Sequence, residues 1–192
     1  VPGDFSSAAF FLVAGCLAAR DGLTIENVGI NPTRIGLLTI LREMGATIEL
    51  RAERAVGAEP VADIWVTQSD LKGIVVPPEL VPLAIDEFPI LFIAAAAAEG
   101  ETIVSGADEL RKKETDRIAV MARALQALGV EVEERHEAAR MAGGRTGGGA
   151  VDSRGDHRIA MSFAVASLRA SEPIDILNTA EVATSFPSFL QV

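Results

Sequence analysis

Five basic side chains stand where an α-helix least favours them. Arg34, Arg117 and Arg158 fall in the first turns of expected helices, and Lys112 and Lys113 immediately precede one. A helix N-terminus carries partial positive charge, so an exposed Lys or Arg there costs about 0.3–1 kcal/mol. That cost vanishes when an anion sits between the helix amides and the guanidinium groups. Residues 111–117 hold four cations and two anions, in a chain whose formal charge is −10. Two readings follow. The arginines bind an anionic ligand, or they form structural ion pairs with Glu114, Asp116 or Asp156. Carboxylates share the same helix ends: Asp86, Glu114, Asp116 and Asp156. A carboxylate flanked by arginines stays ionised and can act as a base, whereas one buried beside another anion can hold a proton and act as an acid. The ordinary role of Asp at a helix start is the N-cap, which is the role assigned to Asp4 and Asp156. For Asp86 and Glu114 spacing alone leaves both roles open.

Other chemistries are thinly supplied. A single cysteine, Cys16, excludes a disulfide framework and a Cys-rich metal site, and two histidines, His136 and His157, are too few for a His-based zinc centre. No metal ligand set is expected. Cys16 lies inside an apolar helix, where a thiol behaves as a small hydrophobe. His157 can titrate near neutrality, with an orienting role as open to it as proton transfer. The glycine-rich stretch 143–149 lacks the Lys-Ser/Thr ending of a phosphate loop and reads as a flexible hairpin or loop.

The elements that must position these residues recur three times. Each copy opens with a polar loop carrying an aspartate, continues as a helix of small apolar residues, and passes through a turn into a short strand. The helices are expected at 8–20, up to 98, and 159–168, the strands at 23–28, 101–105 and 174–177. Gly22, Gly100 and Pro173 hold equivalent places, 78 and 73 positions apart. A second helix follows at 35–44 and at 118–128, each ending at glycine, as an αL cap predicts. Strands at 47–51 and 130–134 come next, and another at 64–67 pairs back. In the third copy residues 185–188 start such a helix, but the chain stops at 192. The expected class is α+β (mixed α/β): three βαβαββ units, about 1–70, 71–145 and 146–192, around inward helices.

Composition bounds the possibilities. The 192 residues are 49% hydrophobic and 23% charged, which excludes disorder and suits one globular domain. Aromatics make up only 5%, so small aliphatics must build the core. The acidic balance argues against a nucleic-acid partner. The longest apolar runs, 8–19 and 88–98, fall short of the roughly 20 residues that span a bilayer, so no membrane association is expected. No charged segment precedes the first apolar run. A cytoplasmic domain is the expectation, and a chain opening Val-Pro-Gly-Asp reads as a fragment of a longer product.

The motifs also carry a resemblance. Lys113-Glu114-Thr115-Asp116-Arg117 resembles the Lys-Glu-Thr/Ser-Asp-Arg signature of the 5-enolpyruvylshikimate-3-phosphate (EPSP) synthase family, and Asp156-His157-Arg158-Ile159-Ala160-Met161 is similar to its Asp-His-Arg-Met/Ile-Ala-Met signature. Gly3-Asp4-Phe5-Ser6-Ser7-Ala8, Asp86-Glu87-Phe88-Pro89 and Ala183-Thr184-Ser185-Phe186-Pro187 also match, in order. The family's fold has two similar domains of three βαβαββ units, and this chain resembles the C-terminal one. The resemblance implies transfer of the enolpyruvyl group of phosphoenolpyruvate to the 5-hydroxyl of shikimate 3-phosphate, with release of phosphate and no cofactor. It assigns Asp86 to the shikimate hydroxyls and the 5-hydroxyl proton, and Glu114 to the proton at the methylene carbon. Lys113 falls between the substrates, and Arg117 and Arg158 on phosphoenolpyruvate. The partner is the N-terminal domain of the same enzyme, without which the isolated domain is expected to be inactive. Two positions depart: Thr184 stands where many members have Lys, and Glu109 where many have Asn. The alternative is a sister transferase acting on UDP-N-acetylglucosamine, which the Lys-Glu-Thr-Asp-Arg wording and the helical setting of Cys16 disfavour. A non-catalytic interaction module is the third class; alanine at the arginines would leave it unaffected.

Overall fold

The computed structural model describes residues 1–191. Three helices form the centre: α1 (Phe5–Ala18), α3 (Phe88–Ala97) and α5 (His157–Ala166), packed against one another. Their small side chains make this possible. Every residue of α3 except Ala97 is buried, and α1 buries ten of its fourteen. Helices buried on nearly all sides carry no polar stripe, which is why both read as continuous apolar runs.

Each central helix bridges a parallel strand connection. The residue pairs Gly3–Val28 and Val75–Ile103 are isolated parallel bridges, whereas β7 (Gly149–Asp152) and β8 (Ile174–Leu177) form a full parallel pair. Parallel neighbours need a crossover, and the helix supplies it. The other strands form two antiparallel sheets. The first has the order β1 (Leu23–Gly29), β3 (Glu59–Thr67), β2 (Thr47–Val56), and the second β4 (Glu101–Ser105), β6 (Ala138–Ala142), β5 (Glu131–Glu134). The class is α+β, with helices inside, as the pattern predicts.

The outer helices α2 (Gly36–Glu43) and α4 (Arg117–Ala127) end at Gly45 and Gly129, whose φ angles of +94° and +83° suit glycine. Several boundaries differ from expectation: β2 and β3 meet in a longer hairpin than the expected 47–51 and 64–67, and α5 starts two residues before 159. Helix α1 starts at Phe5, three residues early, because the Asp4 carboxylate accepts the Ser7 amide at 2.8 Å and caps it there. In the third copy a short helix, α6 (Ala180–Ser185), ends at Ser185, where the second helix was expected to start, since the residue preceding Pro187 is disfavoured in helical conformation. One 3-10 turn, Phe189–Gln191, follows it.

Gly143 lies at a close crossing: a Cβ there would stand 2.1 Å from the Ala98 carbonyl oxygen. The glycine-rich connection is therefore packed on the core at its first residue. No helix among the described residues is long and apolar enough to cross a membrane.

Candidate functional site

The segment Pro82–Glu87, a 3-10 helix, delivers Asp86 to the point where the N-terminal ends of α4 and α5 meet. Its two carboxylate oxygens face different cations. Oδ1 lies 3.3 Å from Lys113 Nζ and 3.8 Å from Arg117 Nη1, and Oδ2 lies 3.7 Å from Arg34 Nη2. Arg158 Nη1 donates to the Asp86 backbone carbonyl at 3.2 Å. Partial burial pushes the Asp86 carboxyl upward, but the charges of Arg158, Lys113 and Arg117 outweigh it and hold the group below the usual carboxylate range.

Arg117 is the first residue of α4, behind its cap Asp116, whose carboxylate accepts the Ala119 amide at 3.0 Å. Only 1% of the Arg117 side chain is exposed. Its Nε donates to Asp156 Oδ2 at 2.8 Å and its Nη2 to Glu114 Oε2 at 2.6 Å. Asp156 does cap α5, accepting the Arg158 amide at 3.0 Å, and it is wholly buried. Cap and ion pair thus share one carboxylate, which locks the starts of α4 and α5 together. Of the two readings of Arg117, structural ion pairs are present at Nε and Nη2, while Nη1 faces Asp86 at 3.8 Å, beyond hydrogen-bond length.

Glu114 leaves its side chain about half exposed beside Arg117. Lys113 is shared between Asp86 and Glu109, the latter at 2.8 Å. The hydrogen bond that Lys113 donates to Glu109 raises its amine, opposed by burial and helped by Asp86. His157, the first residue of α5, is pushed below the ordinary imidazole range by burial and by the neighbouring Arg158 charge.

Asp86, Glu114, Lys113, Arg117 and Arg158 therefore form one linked charge cluster, whose shared face is termed the crevice. The remaining cations divide. Arg34 joins the crevice, but it precedes α2 by two positions instead of occupying its first turn, because α2 begins only at Gly36. Lys112 is exposed on the surface. Arg111, 19% exposed, ties Asp116 and Glu134 at 2.8 and 2.9 Å and donates to the carbonyls of Arg135 and His136, which makes it a structural clamp. A polar recess of about 100 Å³ opens beside the cluster, where Asp4, Ser7 and the start of α1 face His157, Arg158 and Ser185.

Two residues of the crevice had no role in the sequence reading. Glu87, 2% exposed, accepts from Ser6 Oγ at 2.5 Å, and that hydroxyl accepts from Arg34 Nη2 at 3.2 Å. Both stand inside matched motifs, but their meeting spans 81 positions and no local periodicity encodes it.

Comparison with known proteins gives a consistent result. A family model described as EPSP synthase (3-phosphoshikimate 1-carboxyvinyltransferase) matches residues 1–192. Among curated relatives, a 3-phosphoshikimate 1-carboxyvinyltransferase of Acidithiobacillus ferrooxidans is 62% identical over 189 residues, 98% of this chain and 44% of that protein. One of Alkalilimnicola ehrlichii is 57% identical over 193 residues, all of this chain and 43% of that protein. The structure of an EPSP synthase from Acinetobacter baumannii superposes with a TM-score of 0.97 at 50% identity, covering 100% of this chain and 45% of that one. The enolpyruvyl transferase NikO from Streptomyces tendae, at 19% identity and TM-score 0.75, covers all of this chain and 42% of its own, and shares the fold alone. The chain spans about 44% of the length of the curated relatives it matches.

Proposed function

Because this chain belongs to the EPSP synthase family, we propose that it supplies half of a composite active site that transfers the enolpyruvyl group of phosphoenolpyruvate to the 5-hydroxyl of shikimate 3-phosphate. In this reading residues 1–192 are the C-terminal domain, made of units at about 1–70, 71–145 and 146–192, and its partner is the N-terminal domain of the same cytoplasmic enzyme. One observation carries the reading: Asp86, Lys113 and Arg117 meet within 4 Å while Arg158 holds the Asp86 backbone. Both substrates are polyanions, and the crevice gathers four cations in an acidic chain.

The roles are those that the family's motifs imply for these residues. Arg158, whose side chain is 19% exposed, and Arg117 Nη1 bind the carboxylate or phosphate of phosphoenolpyruvate. Lys113 lies between the substrates. Asp86 orients the shikimate hydroxyls and accepts the proton of the 5-hydroxyl as its oxygen attacks. In the free protein the surrounding cations hold Asp86 low, which makes it a weak base. Bound polyanions neutralise those cations and restore its basicity. Glu114 handles the proton at the methylene carbon: the proton gained there during addition is taken off by its carboxylate during elimination, when phosphate leaves with the proton that Asp86 accepted from the 5-hydroxyl. The cations are fixed before the substrates arrive, so their reorganisation costs little at the transition state.

The test is phosphate release from both substrates, measured with this chain alone and with the complementary N-terminal part. Turnover is expected only in the mixture, and Arg158→Ala in the mixture should lower it at least tenfold. Wild-type-like turnover by the chain alone, or an unaffected Arg158→Ala mixture, overturns the reading. Arg158 is the better probe because removing Arg117 strands the buried Asp156, at a cost of about 3–5 kcal/mol of stability.

A further inference from the structure

Glu87 has no part in the chemistry assigned above, yet it is the most buried acid facing the crevice apart from Asp156. It ends the 3-10 segment directly after Asp86 and lies behind the cations. Its Oε1 accepts from Ser6 on α1 and stands 3.9 Å from Arg158 Nη1 on α5. Ser6 Oγ in turn receives Arg34, which arrives from the loop before α2. Both arginines also face Asp86, Arg34 through its carboxylate and Arg158 through its carbonyl. Glu87 and Asp86 thus address the same two guanidinium groups, Glu87 facing Arg158 and reaching Arg34 only through Ser6, Asp86 facing both.

A carboxylate with 2% of its surface exposed depends on those cations for its charge. Burial pushes the Glu87 carboxyl up and the Asp86 charge adds to that, against the Ser6 hydrogen bond and the Arg158 and Arg34 charges. Arg117 and Lys113 face it from the α4 side only across Asp86, and His157 lies one residue from Arg158. An anion in the crevice draws Arg158 and Arg34 toward itself and cancels their fields. The buried carboxylate then loses its compensation, and its neutral form is favoured.

We propose that Glu87 is a positioning residue that aligns Arg158 directly, and Arg34 through Ser6, in the free protein, and that it takes up a proton when an anionic substrate claims those arginines. The proton comes from solvent and converts carboxylate to carboxylic acid, with no other bond made or broken. The Ser6 hydroxyl then turns from donor to acceptor. By linkage, anion affinity rises as pH falls through the window in which Glu87 titrates. The inference rests on the function proposed above, since it assumes that phosphoenolpyruvate occupies this crevice.

The experiment is calorimetric titration of this chain with phosphoenolpyruvate, in pairs of buffers of different ionisation heat, from about pH 5 to 8. The difference between buffers counts protons. Wild type should take up a fraction of a proton per anion bound. Glu87→Gln, which keeps the shape, should still bind but lose that uptake, whereas His157→Gln should keep it. Ser6→Ala removes a donor to Glu87, so the group is more protonated before binding and the uptake should fall; this variant decides the matter should Glu87→Gln fail to fold. Uptake that persists in Glu87→Gln, or disappears in His157→Gln, overturns the inference while leaving the proposed function standing. Absence of any binding by wild type removes the inference, whereas the proposed function is judged separately by turnover of the mixture.

Discussion

Asp86 has three cationic side chains close by, Lys113, Arg117 and Arg34 at 3.3–3.8 Å, of which Lys113 is shared with Glu109 and Arg117 with Asp156 and Glu114. Its effect on the fold and its effect on anion binding therefore have opposite signs. For the fold, Asp86 is held below its ordinary value, so its stabilising contribution is complete above the usual carboxylate range and disappears as pH falls through the lowered value. For an anion it is a competitor. Asp86→Asn should lower the melting temperature at neutral pH and remove part of the stability loss on acidification. It should also tighten inorganic phosphate binding by roughly five- to thirtyfold, on the order of 1–2 kcal/mol for one charge removed at close range in a partly solvated site. Thermal melts across pH and a phosphate titration check both limbs, and weaker phosphate binding by Asp86→Asn would exclude a cationic crevice. The neighbouring Glu87 illustrates what sequence spacing does not carry. Its meaning comes from Ser6, Arg34 and Arg158, contributed by three other elements. Arg117 and Arg158 were legible because a cation at a helix start is a local anomaly, detectable without knowing the fold, whereas Asp86 and Glu114 took their roles only from the family resemblance, since spacing left them open.

The same division holds for the elements. Helices were legible where a cap and a glycine stop bracket them, as at Asp116 and Gly129 around α4. Strands β6 and β7 were not anticipated, because runs such as Ala-Ala-Arg-Met-Ala carry little β-branched character and owe their pairing to β4, β5 and β8. Arg34 was assigned to a first turn that begins two positions after it, for a related reason. Asn31 accepts the Thr33 amide at 3.0 Å and its hydroxyl at 2.8 Å, which forms a local turn and delays α2. Strand β4 also contains the one buried side-chain polar atom without a hydrogen-bond partner among the described residues, Thr102 Oγ1. Thr102 is fully buried. An unsatisfied buried hydroxyl costs about 1–3 kcal/mol, and valine has nearly the same shape. Thr102→Val is therefore expected to raise the midpoint of denaturant unfolding by an amount worth about 1 kcal/mol with an unchanged slope. A lower midpoint would mean that the hydroxyl has a partner, such as a bound water.

At the scale of the molecule the electrostatics form a contest. The chain carries a net charge of −10, and a polyanion approaching it is repelled from a distance and attracted only near the crevice. Salt separates the two effects because they act over different lengths. Screening extends over roughly 10 Å at 0.1 M and roughly 3 Å at 1 M. At 0.1 M the distant acidic surface is already largely screened, whereas Lys113, Arg117, Arg158 and Arg34 act on a bound anion at contact distance. Adding salt from 0.1 to 1 M should then weaken the contact attraction more than it relieves the residual repulsion. Inorganic phosphate affinity should fall several-fold over that range, and association should slow with it. A control at lower ionic strength sharpens the sign: between about 0.01 and 0.1 M, where screening extends to roughly 30 Å, relief of the long-range repulsion acts in the opposite direction and flattens the dependence. Affinity that rises with salt throughout would mean that the acidic surface governs anion capture and that the cations at the starts of α4 and α5 serve only to hold those helices together.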